Sequence, residues 1–320
     1  MEKKIIEKKK VLKFFLFVLI LGLGLFLRIR QWNDLMISPD SYHYLLTANN
    51  LSLCGKPFYC FTIGIIKLFF FDPFYVARIF SLLCSTLSII AIYFFFERQK
   101  NNSGLIASLF FALSFTIVSW TNFILPDSLA ILLFLGFLCA IREWVIAITL
   151  LFLSGLVRPE YLALMPFSIF LYPKNKRAWI LSLALFFAGG VYYLFTYDLP
   201  SQVLVIKNSF LDFPINIFKY EPALVLSAIA SSLVPYKGEY GYKKFFITQL
   251  ILFFVIFTWN NPSNWRYGMH LIVPLIYFGS SFISYIIKGV VRGLRSCDYI
   301  LAGFAILFIL QFYISYIGAL

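Results

Sequence analysis

Apolar runs recur from one end of the chain to the other, and short polar or charged segments separate them. Within each run the hydrophobic positions are continuous, which predicts helices, whereas a transmembrane barrel would alternate apolar and polar residues. Runs of about 15–25 residues predict eleven membrane-spanning helices. Their approximate bounds are 11–27, 74–96, 104–121, 128–141, 144–157, 160–172, 178–195, 223–235, 246–258, 271–287 and 300–317. The apolar segment 61–71 is short, and we interpret it as interfacial or re-entrant.

Composition excludes a soluble globular protein. Hydrophobic residues make up 61% of the 320 residues and charged residues only 13%, against about 45–50% and about 25% in soluble domains. Such a chain cannot cover itself with polar surface. We therefore predict an all-α polytopic membrane protein. Eleven spans of about 20 residues use about 220 residues, so we expect a single membrane domain over 1–320 and no separate soluble domain.

The distribution of basic residues predicts the orientation. Residues 1–10 form a basic segment, and the apolar run that follows lacks a small-residue cleavage site, so we expect a retained first span and a cytoplasmic N-terminus. Alternating the spans from there places 18 of the 27 lysines and arginines inside. This bias is the positive-inside rule. The net charge of +13 therefore sets topology and requires no nucleic-acid partner. We expect a multi-pass protein of the plasma (inner) membrane.

The predicted outer loops carry the candidate chemistry. The first, 28–73, is the longest polar segment and the predicted catalytic loop, and 196–222 is the second long one. Asp40 and Asp127 each occur in a Pro-Asp-Ser sequence at the start of a helical pattern. One interpretation is that each carboxylate caps its helix. The other is that ionisable groups at membrane depth, being costly, form one shared functional site.

Two further outer segments contain arginine. Arg158 precedes Pro159 and Glu160, and this pattern fits either an internal ion pair that braces a kink or a ligand site. Arg266 and Tyr267 precede a span that contains Pro274. These two residues fit either an interfacial aromatic belt with a snorkelling arginine or a second part of the same site.

Metal and disulfide chemistry receive weaker support. The two histidines, His43 and His270, do not make a zinc site, and the five cysteines lack metal-ligand spacing. Carboxylates are compatible with a divalent metal, but we expect no metal and no other cofactor. Cys54 and Cys60 share the outer side, where they form either a disulfide or two free thiols.

In order and on one side of the membrane, these motifs resemble the C-type (GT-C) integral-membrane glycosyltransferases. The likeness is to the branch of protein O-mannosyltransferases and aminoarabinose transferases, and it covers most of residues 1–275. An Arg at the end of the first span, an acidic motif followed by Tyr, an Ala-x-x-Leu helix and a Gly-x-Pro turn recur in that branch. An Asp at the fourth span, a basic residue before Pro and a late Arg-Tyr follow them. The matching residues are Arg28, Asp40-Ser41, Tyr44, Ala48-Asn49-Asn50-Leu51, Gly55-Lys56-Pro57-Phe58, Asp127, Arg158-Pro159, Arg266-Tyr267 and Pro274.

The resemblance implies a GT-C-type helical bundle with interfacial helices in its first outer loop. It also implies transfer of a hexose or pentose, with inversion, from a polyprenyl-phosphate donor to an acceptor hydroxyl on the outer face. The acceptor would be a lipid, a glycan or a protein. Asp40 would be the general base, and Asp127 the second carboxylate of the catalytic site. Residues expected to bind donor phosphate or substrate are Arg158, Arg266, Tyr267, Tyr44, His43, Glu160, Arg28 and Lys56.

Two departures from the family pattern and two other function classes stay open. Many relatives have Asp-Glu where this chain has Asp40-Ser41, and many carry a soluble C-terminal domain, which we do not expect here. A transporter or flippase of lipid-linked sugar or another amphiphile is the main alternative, and it would show broken helices and internal repeats. We found no convincing repeat. A non-catalytic assembly subunit would leave the ordered motifs unexplained.

Overall fold

The computed structural model describes residues 2–31, 39–47, 56–69, 72–99, 103–121, 123–196, 212–233, 240–260, 265–291 and 295–317. Every regular element in these ranges is helical. Five helices are long and apolar enough to cross a membrane, or six if one bent pair counts as a span. The described part of the chain therefore fits a helical membrane protein.

Fourteen α-helices, α1 to α14 in chain order, make up most of the described residues. Their bounds are Glu2–Arg30, Pro39–Thr47, Pro57–Phe69, Pro73–Arg98, Gly104–Leu113, Phe115–Thr121, Pro126–Cys139, Trp144–Val157, Lys176–Thr196, Asp212–Tyr220, Pro222–Ala230, Tyr240–Asn260, Met269–Val291 and Arg295–Ile317. Two 3₁₀ helices, Pro159–Leu164 and Pro166–Phe170, separate α8 from α9. A third 3₁₀ turn, Ser231–Leu233, follows α11, and a fourth, Trp265–Gly268, leads directly into α13.

Proline marks where many of these elements begin. The helices α2, α3, α4, α7 and α11 each start at a proline, because a fixed φ suits the first helical turn and the missing N–H costs nothing there. At α4 the side chain of Asp72 completes the start by accepting a hydrogen bond from the Tyr75 N–H at 3.0 Å. The prediction that Asp40 and Asp127 lie at helix starts is confirmed for the backbone.

The core is built around α13 and the α7–α8 hairpin. In the most apolar stretch of α13, 72% of the residues are buried, against 17% in α1 and in α9. Helices α7 and α8 pack antiparallel, with α4 against α7 and α3 against α8. Leu162 in the first 3₁₀ helix lies against Gly155 and Gly189, whose missing Cβ atoms leave room for it. The central helices therefore hold the ends of the hairpin in place, while α1 and α9 expose apolar faces.

Several predicted spans differ from the structure. The run 160–172 is not an α-helix but two 3₁₀ helices, because Pro159 and Pro166 each start a new element. The run 223–235 contains a nine-residue α-helix, α11. The hairpin helices α7 and α8 have 14 residues each, and the other predicted runs except 104–121 coincide with helices. Eleven spans are therefore not confirmed.

The run 104–121 is interrupted at Ser114, where α5 and α6 meet at 56°. Arg28 is fully buried, and its guanidinium donates to the backbone oxygens of Phe111 and Ala112 at the end of α5. Glu221 accepts hydrogen bonds from the Thr116 N–H at 2.8 Å and the Ser114 hydroxyl at 2.7 Å. The Arg28 guanidinium thus satisfies the carbonyl end of one half, and the Glu221 carboxyl group satisfies the amide end of the other.

The first predicted outer loop contains two short helices that contact each other. The ring of Tyr44 in α2 lies edge-on to that of Tyr59 in α3, with centroids 5.2 Å apart. Lys67 donates from Nζ to the Leu45 carbonyl at 3.0 Å, which ties the two helices together. Cys60 is disulfide-bonded, and Cys54 lies outside the described residues. The predicted helices of this loop are therefore present.

Candidate functional site

A buried carboxylate, Asp127, is the centre of a charged cluster at one end of the α7–α8 hairpin. Its Oδ1 accepts from Nε of Arg158 at 3.0 Å, from Nη2 of the same side chain and from His270 at 2.9 Å. Its Oδ2 accepts from Nε and Nη2 of Arg266, at 3.2 and 2.9 Å. We call these four residues the Asp127 cluster. Both carboxylate oxygens are occupied, so Asp127 is not the cap of its own helix.

Proline explains why Arg158 reaches this carboxylate. A residue before proline is driven out of the helical region, and Arg158, with Pro159 after it, is extended at φ −141° and ψ 109°. The chain therefore leaves α8 at this point, and the arginine side chain lies beside the first turn of α7. Asp127 occupies that first turn, where the helix dipole favours a negative charge.

Arg266 lies in the 3₁₀ turn that precedes α13, and His270 lies in the first turn of α13. They are four residues apart, a spacing that puts two side chains on one helix face. Pro274 lies within the same helix and lacks the N–H that would bond the carbonyl of His270. Gln249 of α12 donates to that carbonyl instead, at 3.3 Å. Because Pro274 leaves the His270 carbonyl without its partner in α13, Gln249 can bind it and connect α12 to α13.

Tyr161 extends the cluster through His270. The Tyr161 hydroxyl lies 2.9 Å from Nδ1 of the imidazole, whose Nε2 faces Asp127. With a proton on Nε2, His270 donates to the carboxylate and its Nδ1 accepts from the tyrosine. Both side chains are fully buried. This chain of hydrogen bonds fixes the orientation of the imidazole without requiring it to carry a charge.

Two more charged side chains border the cluster. Glu160 Oε1 lies 3.8 Å from Nη1 of Arg158, so the predicted local ion pair exists but is longer than the pair with Asp127. Burial and the neighbouring Arg158 lower the pKa of Lys56 to about 8. Burial opposes the charge on Arg158, yet Asp127 and Glu160 hold its pKa well above the usual value. Among the described side chains, three cations therefore face two carboxylates, and this part of the site carries a net positive charge.

Most of the predicted site residues lie in or beside this cluster. Asp127, Arg158 and Arg266 are in direct contact, and Glu160 and Lys56 border them. Arg266 is buried, so it is not a snorkelling anchor. The ring of Tyr267 lies under the Arg158 guanidinium, 5.4 Å from centroid to Cζ. Burial of these charges in one place requires that they pair with one another.

Other predicted residues lie in the first loop or elsewhere. Tyr44 is buried and interacts electrostatically with Arg158, whereas His43 is exposed and lies edge-on to the Tyr44 ring. Arg28 lies at the α5–α6 break, where it also donates to the Ser85 hydroxyl at 2.8 Å. The backbone of Asp40 is in the first turn of α2, but its side chain lies outside the described residues.

Two residues of the site were not predicted, His270 and Tyr161. His270 comes four residues after Arg266, which was a predicted site residue. This spacing places two side chains on one helix face, so it was a signal for His270. Tyr161 follows Glu160 directly and shows no comparable signal, because its partner is 109 residues away in sequence.

The arrangement suits a bound anion. Arginine guanidinium groups pair with phosphate through two hydrogen bonds and stay charged when buried. Each guanidinium presents its Nε–Nη2 edge to Asp127, and Nη1 of Arg158 lies 3.8 Å from Oε1 of Glu160. Among the described residues, no group of three or more His, Cys, Asp or Glu side chains is arranged to hold a metal ion.

No protein-family model matches the sequence, and no curated protein matches it.

Proposed function

We propose that the chain is a membrane glycosyltransferase that moves a sugar from a polyprenyl-phosphate donor to an acceptor hydroxyl on the outer face. The observation that carries this proposal is the net positive, buried cluster formed by Arg158, Arg266 and Lys56 around Asp127. A phosphate that leaves with the bonding electrons of the anomeric carbon needs such stabilisation. The resemblance in motif order, from Arg28 to Pro274, supports the same class.

In this proposal some residues of the site bind the donor phosphate and others position them. Arg158 and Arg266 bind the donor phosphate, and Lys56 adds a third cation. Asp127 has both oxygens occupied by the arginines and His270. It is therefore a positioning residue that fixes the two guanidinium groups. His270 binds Asp127 and is itself hydrogen-bonded to Tyr161. Fixed donors need no reorganisation when charge develops on the leaving phosphate.

Asp40 is the proposed general base. It lies in α2, which Lys67 and the Tyr44–Tyr59 contact attach to α3, and Tyr44 interacts with Arg158. The acceptor hydroxyl gives its proton to the Asp40 carboxylate and its oxygen bonds to the anomeric carbon. The bond from that carbon to the phosphate oxygen breaks, and polyprenyl phosphate leaves with the electron pair. Attack opposite the leaving group inverts the anomeric centre.

The test is a transfer assay with the purified full chain in detergent and a panel of polyprenyl-phosphate sugars labelled in the sugar. Release of polyprenyl phosphate that depends on an acceptor supports the proposal. Arg158→Ala should weaken donor binding, while Lys8→Ala, an exposed cation near the N-terminus, is the matched control. If no donor of the panel loses its sugar, or if Arg158→Ala binds donor as the wild type does, the assignment fails.

A transporter or flippase is the second candidate, and the α5–α6 break favours it. Interrupted helices whose half-helix ends line a substrate or ion site are typical of transporters, and the buried Glu221 lies at such a break, beside Ser114. The same labelled donors in vesicles distinguish the two functions. Movement of intact donor across the bilayer without release of polyprenyl phosphate would support the transporter.

A further inference from the structure

A cavity of about 330 Å³ lies at the opposite end of the α7–α8 hairpin from the Asp127 cluster. The turn between α7 and α8 and the start of α12 form its walls, together with the segment that precedes α9. Its lining includes Arg142, Trp144, Tyr172, Asn175 and Tyr242. A second, more open cavity of about 730 Å³ adjoins it and is lined by residues 171–177. These volumes fall in the range of small-ligand sites, about 300–1,000 Å³.

The approach of two backbones shapes this cavity. A Cβ on Gly241 would lie 2.3 Å from the carbonyl oxygen of Phe170, so α12 comes this close to the second 3₁₀ helix only because residue 241 is glycine. Tyr172 contributes to both cavities. Its buried hydroxyl makes no hydrogen bond to any described residue, so it is a donor that a ligand can use.

The charges around the two cavities are predominantly positive. Arg142 lines the first, and Lys174, Lys176 and Arg177 line the second, all four exposed. Lys176 and Arg177 lie in the first turn of α9, which contains no acidic residue. Two cations at the positive end of a 21-residue helix repel its dipole, and an anion bound beside them removes this cost.

The exposed face of α9 indicates that the anion belongs to a lipid. From Lys176 the same face continues through Ile180, Phe187, Val191 and Leu194, which are 63%, 64%, 50% and 64% exposed. Residues at these spacings form one stripe along a helix. A lipid whose head group occupies the cavities would lay its acyl chain along this stripe. Its negative charge would then lie beside the cations, and its acyl chain beside the apolar side chains.

We propose that these two cavities form a binding site for the phosphate-bearing head group of an anionic phospholipid. Arg142 and Arg177 pair with the phosphate oxygens, and the Tyr172 hydroxyl donates a third hydrogen bond. The acyl chain packs on the α9 stripe. The site lies at the other end of α7 and α8 from Asp127, and it is independent of the glycosyltransferase proposal.

Native mass spectrometry of the full chain in detergent tests this site. Phosphatidylglycerol and phosphatidylcholine with identical acyl chains are titrated separately, and the wild type should retain the former preferentially. The double variant Arg142→Gln/Arg177→Gln should bind phosphatidylglycerol roughly 30-fold more weakly, since each cation near a lipid surface contributes about fivefold. Tyr172→Phe, which removes only one oxygen, should weaken binding less and leave thermal unfolding unchanged.

The control variant removes the same number of positive charges at a different part of the protein. Lys8→Gln/Lys10→Gln removes two exposed cations from α1 and should retain phosphatidylglycerol as the wild type does. Equal losses in the two double variants, with wild-type binding by Tyr172→Phe, would show diffuse surface attraction and overturn the proposal. Displacement of the lipid by millimolar inorganic phosphate would overturn it also, because the site would then recognise a free anion without the acyl chain.

Discussion

Arg28 and Glu221 bind the two halves of one interrupted helix from opposite sides of its break. The arginine donates to the carbonyl oxygens of Phe111 and Ala112 at the end of α5, and the glutamate accepts from the amide of Thr116 at the start of α6. A broken helix leaves unpaired backbone groups that hydrocarbon cannot satisfy. These two side chains supply the missing partners, so the break is a built feature of the fold.

Glu221→Ala should therefore destabilise the protein. It removes the acceptor for the Ser114 hydroxyl and the Thr116 N–H, and each buried unpaired group costs about 1–3 kcal/mol. Glu221→Gln keeps one acceptor oxygen and should cost less. Thermal unfolding in detergent measures both, with the exposed Glu143→Ala as the control. An unchanged midpoint for Glu221→Ala would show that the break does not depend on this cap.

Asp127→Asn should lower the free energy of unfolding by about 3–5 kcal/mol, because it leaves Arg158 and Arg266 buried beside each other without their common counter-charge. The double variant Asp127→Asn/Arg266→Gln should recover part of the loss by removing one of the two cations. Denaturant unfolding of both variants checks this prediction. Asp298→Asn, at an exposed position in the first turn of α14, should have little effect, and equal stability of the two single variants would contradict the pairing.

Donor affinity should fall as the pH rises through about 8. The pKa of Lys56 is lowered to about 8 by burial and by Arg158, so its ammonium is charged below that pH and neutral above it. The phosphodiester of the donor keeps its charge throughout this range. Lys56→Arg should bind donor equally at pH 7 and pH 9, since a guanidinium stays charged. Equilibrium binding at the two pH values measures the difference, and a flat wild-type profile would exclude Lys56 from the phosphate site.

Asp40→Asn should reduce sugar transfer by about 10²–10⁴-fold with donor binding unchanged, because a positioned base accelerates proton transfer by that amount. Single-turnover release of polyprenyl phosphate separates the chemical step from binding. Asp72→Asn, which changes an exposed carboxylate at the start of α4, is the control. Near-normal turnover by a folded Asp40→Asn would leave the reaction without its proposed base.

Gly155→Ala should both destabilise the protein and weaken donor binding. The added Cβ would lie 2.4 Å from Cδ2 of Leu162 and 3.1 Å from its backbone nitrogen, and overpacking of this kind costs about 1–3 kcal/mol. Arg158 follows three residues later and would move with the displaced segment. Gly190→Ala, whose Cβ would meet nothing within 4 Å, should be neutral or stabilising. Equal effects of the two variants would show that Leu162 adapts freely.

The apolar runs predicted most long helices correctly because hydrophobic length is a local property of the sequence. The break at Ser114 was not predictable in this way, since its cause is Arg28 from α1 and Glu221 from a segment 107 residues later. Pro159 and Pro166 did carry a local signal for the two 3₁₀ helices, but the apolar run 160–172, which contains Pro166, predicted a span instead. Local patterns specify elements, and long-range pairing decides where they are interrupted.

In the candidate site, too, local sequence patterns predicted some features and only the tertiary structure shows the others. The Pro-Asp and Arg-Pro sequences predicted that Asp127 and Arg158 lie at helix ends, and alternation of the spans placed them on one side. Only the tertiary structure shows that a single carboxylate is shared by two arginines and a histidine. Arg28 occupies the expected place in the order of motifs, yet its guanidinium binds the backbone at the break between α5 and α6. A backbone oxygen accepts hydrogen bonds from arginine as readily as a ligand does.

The length of the α7–α8 hairpin has a consequence for how a lipid-linked molecule reaches Asp127. Each of its helices has 14 residues and is therefore about 21 Å long, roughly 9 Å shorter than a hydrocarbon layer of about 30 Å. In the proposed topology the basic end of the hairpin lies at one water interface and the Asp127 end beneath the opposite one, so that either the bilayer thins locally or the cluster forms the floor of a depression. In the proposed reaction the polyprenyl chain of the donor would enter from the side, and only its head group would have to leave the hydrocarbon.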